Sequence, residues 1–330
     1  MELRTTFSIP PSRNRITYSD RVVFIGSCFA ASIGKQFEAG RMPALINPFG
    51  TVYNPASVCN TLDTITEGRE YKIDDLYKYQ DTWISFNHYT DFSSGDPDAL
   101  LNKINSKITE ARAFLTRAHF LFVTFGTARV YRWKLSGKIV SNCHKIPEQE
   151  FTREMLSTGE IVAKWSEQLE KLHSVNPGLK VIFTISPVRH WKDGAHGNQV
   201  SKSVLFLAVE ELQNHRSTPD YFPAYELIMD DLRDYRFYDT DMLHPSASAT
   251  DYIWDAFTKC YFDDKTLSLY REVIKITRAV SHKIMTDSPG QKKKFAGDML
   301  KRIESVKEKN PAVNLEYEKK YFSDLLNAVV

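Results

Sequence analysis

Arg21-Val-Val-Phe-Ile25 running straight into Gly26-Ser27-Cys28-Phe29-Ala30 is the stretch on which the fold turns. Its first five residues are short, apolar and β-branched or aromatic, the pattern of a strand buried on both faces, and Gly26-Ser27 is a turn signal. Ala31 to Phe37 then reads as a helix. The same alternation recurs twice: His119-Phe-Leu-Phe-Val-Thr-Phe125 stops at Gly126, and Lys180-Val-Ile-Phe-Thr-Ile185 stops at Ser186-Pro187. Ala99 to Phe114 and Phe151 to His173 carry apolar residues at helical three- and four-residue spacing. Strand, helix, strand, helix, strand requires crossover connections, so the predicted fold is α/β, a three-layer α/β/α arrangement around a mainly parallel sheet. The turns at Gly26, Gly126 and Ser186 then share one sheet edge. Tyr235-Arg-Phe-Tyr238 is predicted as the last strand, Ala247 to Phe262 as an amphipathic helix, and Ser85 to Gly95 as a loop. From Asp263 the chain reads as continuous, more polar helix, a C-terminal extension (263–330) to an α/β domain (1–262). There is no internal repeat.

The chain has 330 residues, 42% hydrophobic and 25% charged, with a formal net charge of +2. That composition excludes disorder as the main state and gives no general reason to expect nucleic acid or an anionic membrane as partner. The basic run Gln291-Lys-Lys-Lys294, with Lys301, Arg302, Lys307 and Lys309, lacks interleaved arginines and aromatics and reads as a solvated helix face. No apolar run approaches the roughly 18 residues of a spanning helix. The opening residues lack a basic stretch followed by an apolar one, which points to the cytoplasm. Cys28, Cys59, Cys143 and Cys260 form no C-x-x-C pair, so neither a disulfide framework nor a zinc ribbon is expected.

In an open parallel sheet, ligands bind beyond the carboxyl ends of the strands. After the first strand, a nucleophile in Gly26-Ser27-Cys28 stands at a helix N-terminus, where free N–H groups stabilise a thiolate or alkoxide. After the third comes Ser186-Pro-Val-Arg-His-Trp-Lys-Asp-Gly-Ala-His-Gly-Asn198, dense in hydrogen-bonding groups. Before the last helix comes Asp241-x-x-His244, whose spacing lets Asp241 accept from Nδ1–H and leaves Nε2 for a nucleophile. Taken singly, the first is a plain turn and the last a surface cap; their joint order is more selective.

That order resembles the layout of the SGNH, or GDSL-type, hydrolases. The literal Gly26-Ser-Cys-Phe-Ala30 string is similar to the signature that names the GSCFA family. Ile46-Asn-Pro-Phe-Gly-Thr-Val-Tyr-Asn-Pro55, Thr124-Phe-Gly-Thr-Ala128, Ser186-Pro-Val-Arg-His190 and Tyr221-Phe-Pro-Ala-Tyr-Glu226 resemble further family blocks, over roughly residues 1–262. The resemblance implies an SGNH-hydrolase or flavodoxin-like sheet. It also implies an acyl-ester hydrolase or acyltransferase acting on a small-molecule or carbohydrate ester. Direct register puts Cys28 in the nucleophile's place and Ser27 where the relatives have Asp, with Ser27 the alternative nucleophile; His244 is the base and Asp241 orients it. His244 and the helix end are expected to lower the Cys28 pKa. Where the relatives have Gly-x-Asn, this chain has Gly126-Thr127-Ala128, so one oxyanion donor is missing. The remaining donors implied are the backbone N–H groups of Cys28 and Gly50, with Thr127, Asn47 or His88 as replacements for the absent amide. Arg189 and His190 are implied as substrate-binding.

No carboxylate or third histidine stands at ligand spacing from His190 and His196, so no metal is expected, and no Gly-rich loop suggests a dinucleotide cofactor. His88 and His144 are expected to line or buttress the pocket, and His173 to face a helix C-terminus. Tyr53, Trp83, Trp133 and Trp191 flank the motifs as stacking faces for a sugar or acyl chain. Two competing readings are a non-catalytic glycan-binding module and a structural protein whose basic tail docks a partner.

Overall fold

A computed structural model of the chain describes residues 5–281 and 288–327. In chain order its elements are β1 (Val22–Gly26), α1 (Cys28–Ala39), β2 (Ala44–Ile46), α2 (Pro55–Glu67), β3 (Tyr77–Tyr79), β4 (Thr82–Ile84), β5 (Ser93–Ser94), α3 (Pro97–Leu115) and β6 (Phe120–Phe125). There follow β7 (Arg129–Trp133), β8 (Ile139–Val140), β9 (Phe151–Met155), α4 (Thr158–Val175), β10 (Lys180–Ile185), α5 (Gly194–Gln213), β11 (Asp220–Tyr221), α6 (Ala224–Glu226) and α7 (Ala247–Tyr261). Last come α8 (Asp264–Ser281), α9 (Pro289–Lys309) and α10 (Glu316–Asn327).

The fold is α/β, with a five-stranded central sheet flanked by helices, in the order β11-β10-β6-β1-β2. β1 pairs with β6, β6 with β10 and β10 with β11, all parallel. The predicted strands ending at Ile25, Phe125 and Ile185 are its centre. Every residue of β1 and β6 is buried, which is why their sequences lack the alternation of a half-exposed strand. On one face the sheet packs with α2, α3, α4 and α5 into a single core. Trp165 of α4 fills its middle, its ring 5.1 Å from both Phe125 and Phe183 and its indole N–H donating to the Pro55 carbonyl at 3.2 Å. Full burial of such a side chain stabilises by about 3 kcal/mol.

Two predicted elements differ. Tyr235–Phe237 is a 3₁₀ turn: the Asp234 side chain accepts from the Arg236 N–H, folding the backbone back, and the sheet ends instead with β11. Phe151–Met155 is a strand paired antiparallel with β7, because the helix that follows starts only at its capping box, Ser157 with Glu160. The small sheets β3-β4-β5 and β8-β7-β9 share a satellite core of Ile84, Trp133, Val140, Ile146 and Phe151.

The chain divides into two compact units that interleave in sequence, where the sequence suggests a single boundary after 262. One comprises Met1–Ser8, Arg21–Gly34 and Leu45–Ile253; the other Ile9–Asp20, Lys35–Ala44 and Trp254–Val330. In the second, Trp254 packs against Phe37, Phe257, Phe262 and Tyr270, and the Arg41 guanidinium pairs with the buried Glu318. Among the described residues after 262, only helices occur and none joins a sheet. No helix among the described residues is long and apolar enough to cross a membrane.

Candidate active site

From β1 the chain moves to β2 on one side; from β6 it moves to β10 and β11 on the other. A crevice opens at such a switch point, beyond the strand ends. Gly26-Ser27-Cys28 and Gly126-Thr127-Ala128 stand there side by side, since Gly26 is in register with Thr124. The Gly26 turn is latched from across: its N–H donates to Asn47 Oδ1 at 2.8 Å, and its carbonyl accepts from the Val52 N–H at 3.0 Å.

Cys28 opens α1 and is half-buried, whereas Ser27 is fully buried. Burial pushes the Cys28 thiol above its ordinary value, and the Asp241 charge adds to that. The N–H groups of Phe29 and of Cys28 itself, and the Lys202 ammonium, pull the other way without overcoming it. The expectation of a lowered thiol pKa is therefore corrected: desolvation exceeds the helix-end effect, and the resting group is a thiol. Ser27 Oγ has no hydrogen-bond partner among the described residues. Ser27 packs beside Gly126, where an added methyl would stand 3.5 Å from Ser27 Cβ and 2.9 Å from His190 Nε2.

Asp241 and His244 form the expected pair. His244 Nδ1 lies 2.6 Å from Asp241 Oδ2, while Asp241 Oδ1 accepts the N–H groups of Leu243 and His244, each at 2.9 Å. Those bonds hold the Asp241 carboxyl down at about 2, so it stays ionised at any working pH. The two side chains are 46% and 47% exposed, which leaves Nε2 open to a ligand. The Arg189 N–H ties this loop to the segment after β10 through the Leu243 carbonyl, at 3.3 Å. A cavity of about 600 Å³ adjoins Asp241, lined by Arg189, Trp191, Met229, Tyr235 and Tyr238 among others. Cys28, Ser27 and His244 are not part of its wall.

The expected oxyanion donors fare unequally. The Gly50 N–H is already spent on the Asn47 carbonyl at 2.7 Å, in a tight turn. Thr127 Oγ bonds Ser201 Oγ at 2.9 Å and accepts the Arg129 N–H at 3.1 Å. His88 is enclosed by the rings of Phe49, Tyr71 and Phe92, with Nδ1 on Ser85 Oγ at 2.7 Å, so it buttresses the Asn47–Gly50 turn from below. His144 bonds the Ser85 carbonyl beside it at 2.8 Å. Asn47 is different: its Nδ2 is buried with no partner among the described residues. Arg189 Nε and His190 Nε2 are likewise without a partner there. Trp133 belongs to the satellite core.

Two contributors were not expected from sequence. Lys202 of α5 is 1% exposed, and its ammonium donates to the Gly126 carbonyl at 2.7 Å and the Ser186 carbonyl at 2.6 Å. Burial pushes it down to about 7. The helical phase of Leu205, Ala208, Val209 and Leu212, extended backwards, does place Lys202 on the buried face of α5. Asp193, its side chain 2% exposed, pairs with Arg129 at 3.0 Å and Arg153 at 2.5 Å and braces the loop that carries Arg189 and His190. No group of three His, Cys, Asp or Glu among the described residues is arranged to hold a metal ion.

Burial holds the His88 and His190 imidazoles neutral, at about 3 and about 4. Their folded values lie below the unfolded one near 6.5, so the stability they contribute is complete above about pH 6.5 and is lost as pH falls toward those values. Urea unfolding at pH 7, 5.5 and 4.5 should show stability dropping by about 1.4 kcal/mol per pH unit for each proton excluded. A slope about half the wild-type one in His88→Gln, with His190 supplying the rest, would assign that share to His88; a flat wild-type profile would refute both.

A parallel sheet with its switch point at β1/β6, a half-buried thiol opening the first helix and a carboxylate-imidazole pair before α7 define an α/β protein. The chain belongs to the GSCFA family, whose model matches residues 21–257. No curated protein matches it.

Proposed function

We propose that this protein transfers acyl groups from a small-molecule or carbohydrate ester, as a hydrolase or an acyltransferase, with Cys28 as nucleophile, His244 as base and Asp241 as its orienter. One observation carries the reading: Asp241 Oδ2 stands 2.6 Å from His244 Nδ1 and leaves Nε2 of a half-exposed ring open, the orientation a general base needs. The resemblance to SGNH hydrolases, with Gly-x-nucleophile after the first strand and Asp-x-x-His before the helix, supports it. Because Cys28 rests as a thiol, His244 Nε2 takes its proton as Sγ attacks the carbonyl carbon and the S–C bond forms. The displaced electron pair moves to the carbonyl oxygen, where the Cys28 N–H and Asn47 Nδ2 are the donors at hand. Collapse breaks the ester C–O bond, and the imidazolium gives its proton to the leaving oxygen. Water, or an acceptor hydroxyl, then resolves the thioester with His244 again as base. Four cysteines that form no disulfide fit a reducing cytoplasm.

Short aryl esters and thioesters, followed by mass spectrometry of the quenched enzyme, test this. Expected is turnover, with an acyl mass increment on the peptide containing Cys28. An increment on Ser27 would return the protein to serine chemistry. Glycan binding without turnover or adduct would favour the binding module.

A further inference from the structure

The cavity of about 600 Å³ beside Asp241 has a volume that suits a small ligand. Its rim is apolar where a merely solvated one would be polar: Trp191, Tyr235 and Met242 stand around it, 52%, 77% and 51% exposed. Met242 does so at φ +58°, a left-handed backbone that glycine would adopt without strain. Ile228 and Leu243 continue the apolar wall. Four charged residues line the same space, and three of them are committed. Arg233 pairs with Asp230 at 3.1 Å and donates to the Met229 carbonyl at 3.2 Å. Asp234 Oδ1 accepts the Arg236 N–H at 2.9 Å, and its Oδ2 lies 3.7 Å from the Arg236 guanidinium. Both Asp241 oxygens are taken, one by His244 Nδ1 and the other by the N–H groups of Leu243 and His244.

Arg189 is the exception. Its Nε is buried without a partner, and its side chain makes no hydrogen bond or ion pair with any described residue. The guanidinium lies over the Trp191 ring, 5.7 Å from its centre, a face contact that uses none of the N–H donors at the edge of the fork. The Arg189 N–H is bonded to the Leu243 carbonyl at 3.3 Å, so the fork and the Asp241–His244 pair sit on segments tied to each other. A planar fork with no anion, in a space whose other charges are paired, complements a planar anion.

We propose that this cavity binds a carboxylate-bearing part of the ester substrate: Arg189 takes the carboxylate through its fork, and Trp191, Tyr235 and Tyr238 hold the apolar body between carboxylate and ester. The proposal rests on the reading of this edge as an acyl-transfer site and gives that site a substrate class. A neutral sugar ester would leave the Arg189 donors without an acceptor.

Binding is measured first, without turnover, by titrating phenylbutyrate and its neutral amide at constant ionic strength and following tryptophan fluorescence, with Trp191→Phe to assign the signal. The acid should bind about tenfold or more tighter than the amide. Arg189→Gln should bring the two together by weakening the acid alone. Tyr235→Ala, at a side chain 77% exposed, should weaken both several-fold and keep their ratio, a reading that holds even where Arg189→Gln fails to fold. Equal affinities in wild type, an acid preference that survives Arg189→Gln, or binding indifferent to Tyr235→Ala would overturn the proposal. Two turnover pairs then locate the carboxylate: the para-nitrophenyl half-ester of suberic acid against para-nitrophenyl octanoate, and para-acetoxybenzoate against phenyl acetate. A higher kcat/KM for the charged member puts the carboxylate on the acyl half in the first pair and on the alcohol half in the second; parity in both overturns the substrate class. Acid-selective binding without turnover of any ester would remove only the proposed activity, and an acyl-enzyme at Cys28 without acid selectivity would remove only this inference.

Discussion

Cys28→Ala is expected to lower kcat/KM for ester turnover by about 10⁴-fold or more, and His244→Ala by a comparable factor. The double variant should be scarcely worse than either single one, because the proposed step needs thiol and imidazole together. Asp241→Asn should cost less. It keeps the side chain's shape but removes the charge that His244 Nδ1 meets at 2.6 Å, so the tautomer and the imidazolium lose support together. Steady-state kinetics on the four proteins measures this. Additive losses in the double variant would mean that the two residues serve separate steps, and an unimpaired Cys28→Ala would dismiss the thiol.

Gly26→Ala should cost about 4 kcal/mol of stability, a strain and overpacking term combined. Gly26 sits at φ +143°, and an added Cβ would stand 2.1 Å from the Thr124 carbonyl oxygen and 2.8 Å from its carbon. Both are backbone atoms of the adjacent central strand, so neither neighbour yields. Relief requires β1 and β6 to part at the point where Asn47 latches the turn. Urea titration against Gly159→Ala, a site with nothing within 4 Å, separates this from a generic glycine effect. The control should lie within about 1 kcal/mol of wild type. Equal midpoints for the two variants would show that the turn relaxes freely.

The central strands were legible because residues buried on both faces must be continuously apolar, as Val22–Gly26 and Phe120–Phe125 are. β11 was not, since two residues carry no period. Tyr235–Phe237 imitates a strand in composition, and only the Asp234 side chain's grip on the Arg236 N–H makes it a turn. At Phe151–Met155 the helical pattern was extended too far, although Ser157-x-x-Glu160 marked the start. In the site, Asp241 and His244 could be paired from sequence because three residues in a tight loop bring carboxylate and ring together. The fate of the Gly50 N–H could not be read, because it depends on a turn bond to the Asn47 carbonyl. Lys202 looked like any solvated lysine until its helix phase was fixed by the leucines beyond it.

The Lys202 bonds to Gly126 and Ser186 span 76 and 16 residues of chain. During translation, at about 5–20 residues per second, the first strand and its cysteine emerge on the order of ten seconds before the lysine exists. Throughout that interval the Gly126 carbonyl lacks the ammonium that later caps it, and the sheet edge is unfinished. A nascent or truncated chain ending before α5 therefore has both strands that flank β1 without the tie that joins the ends of β6 and β10. That closure arrives late in synthesis, when enough of the polypeptide has been made to reach across the edge.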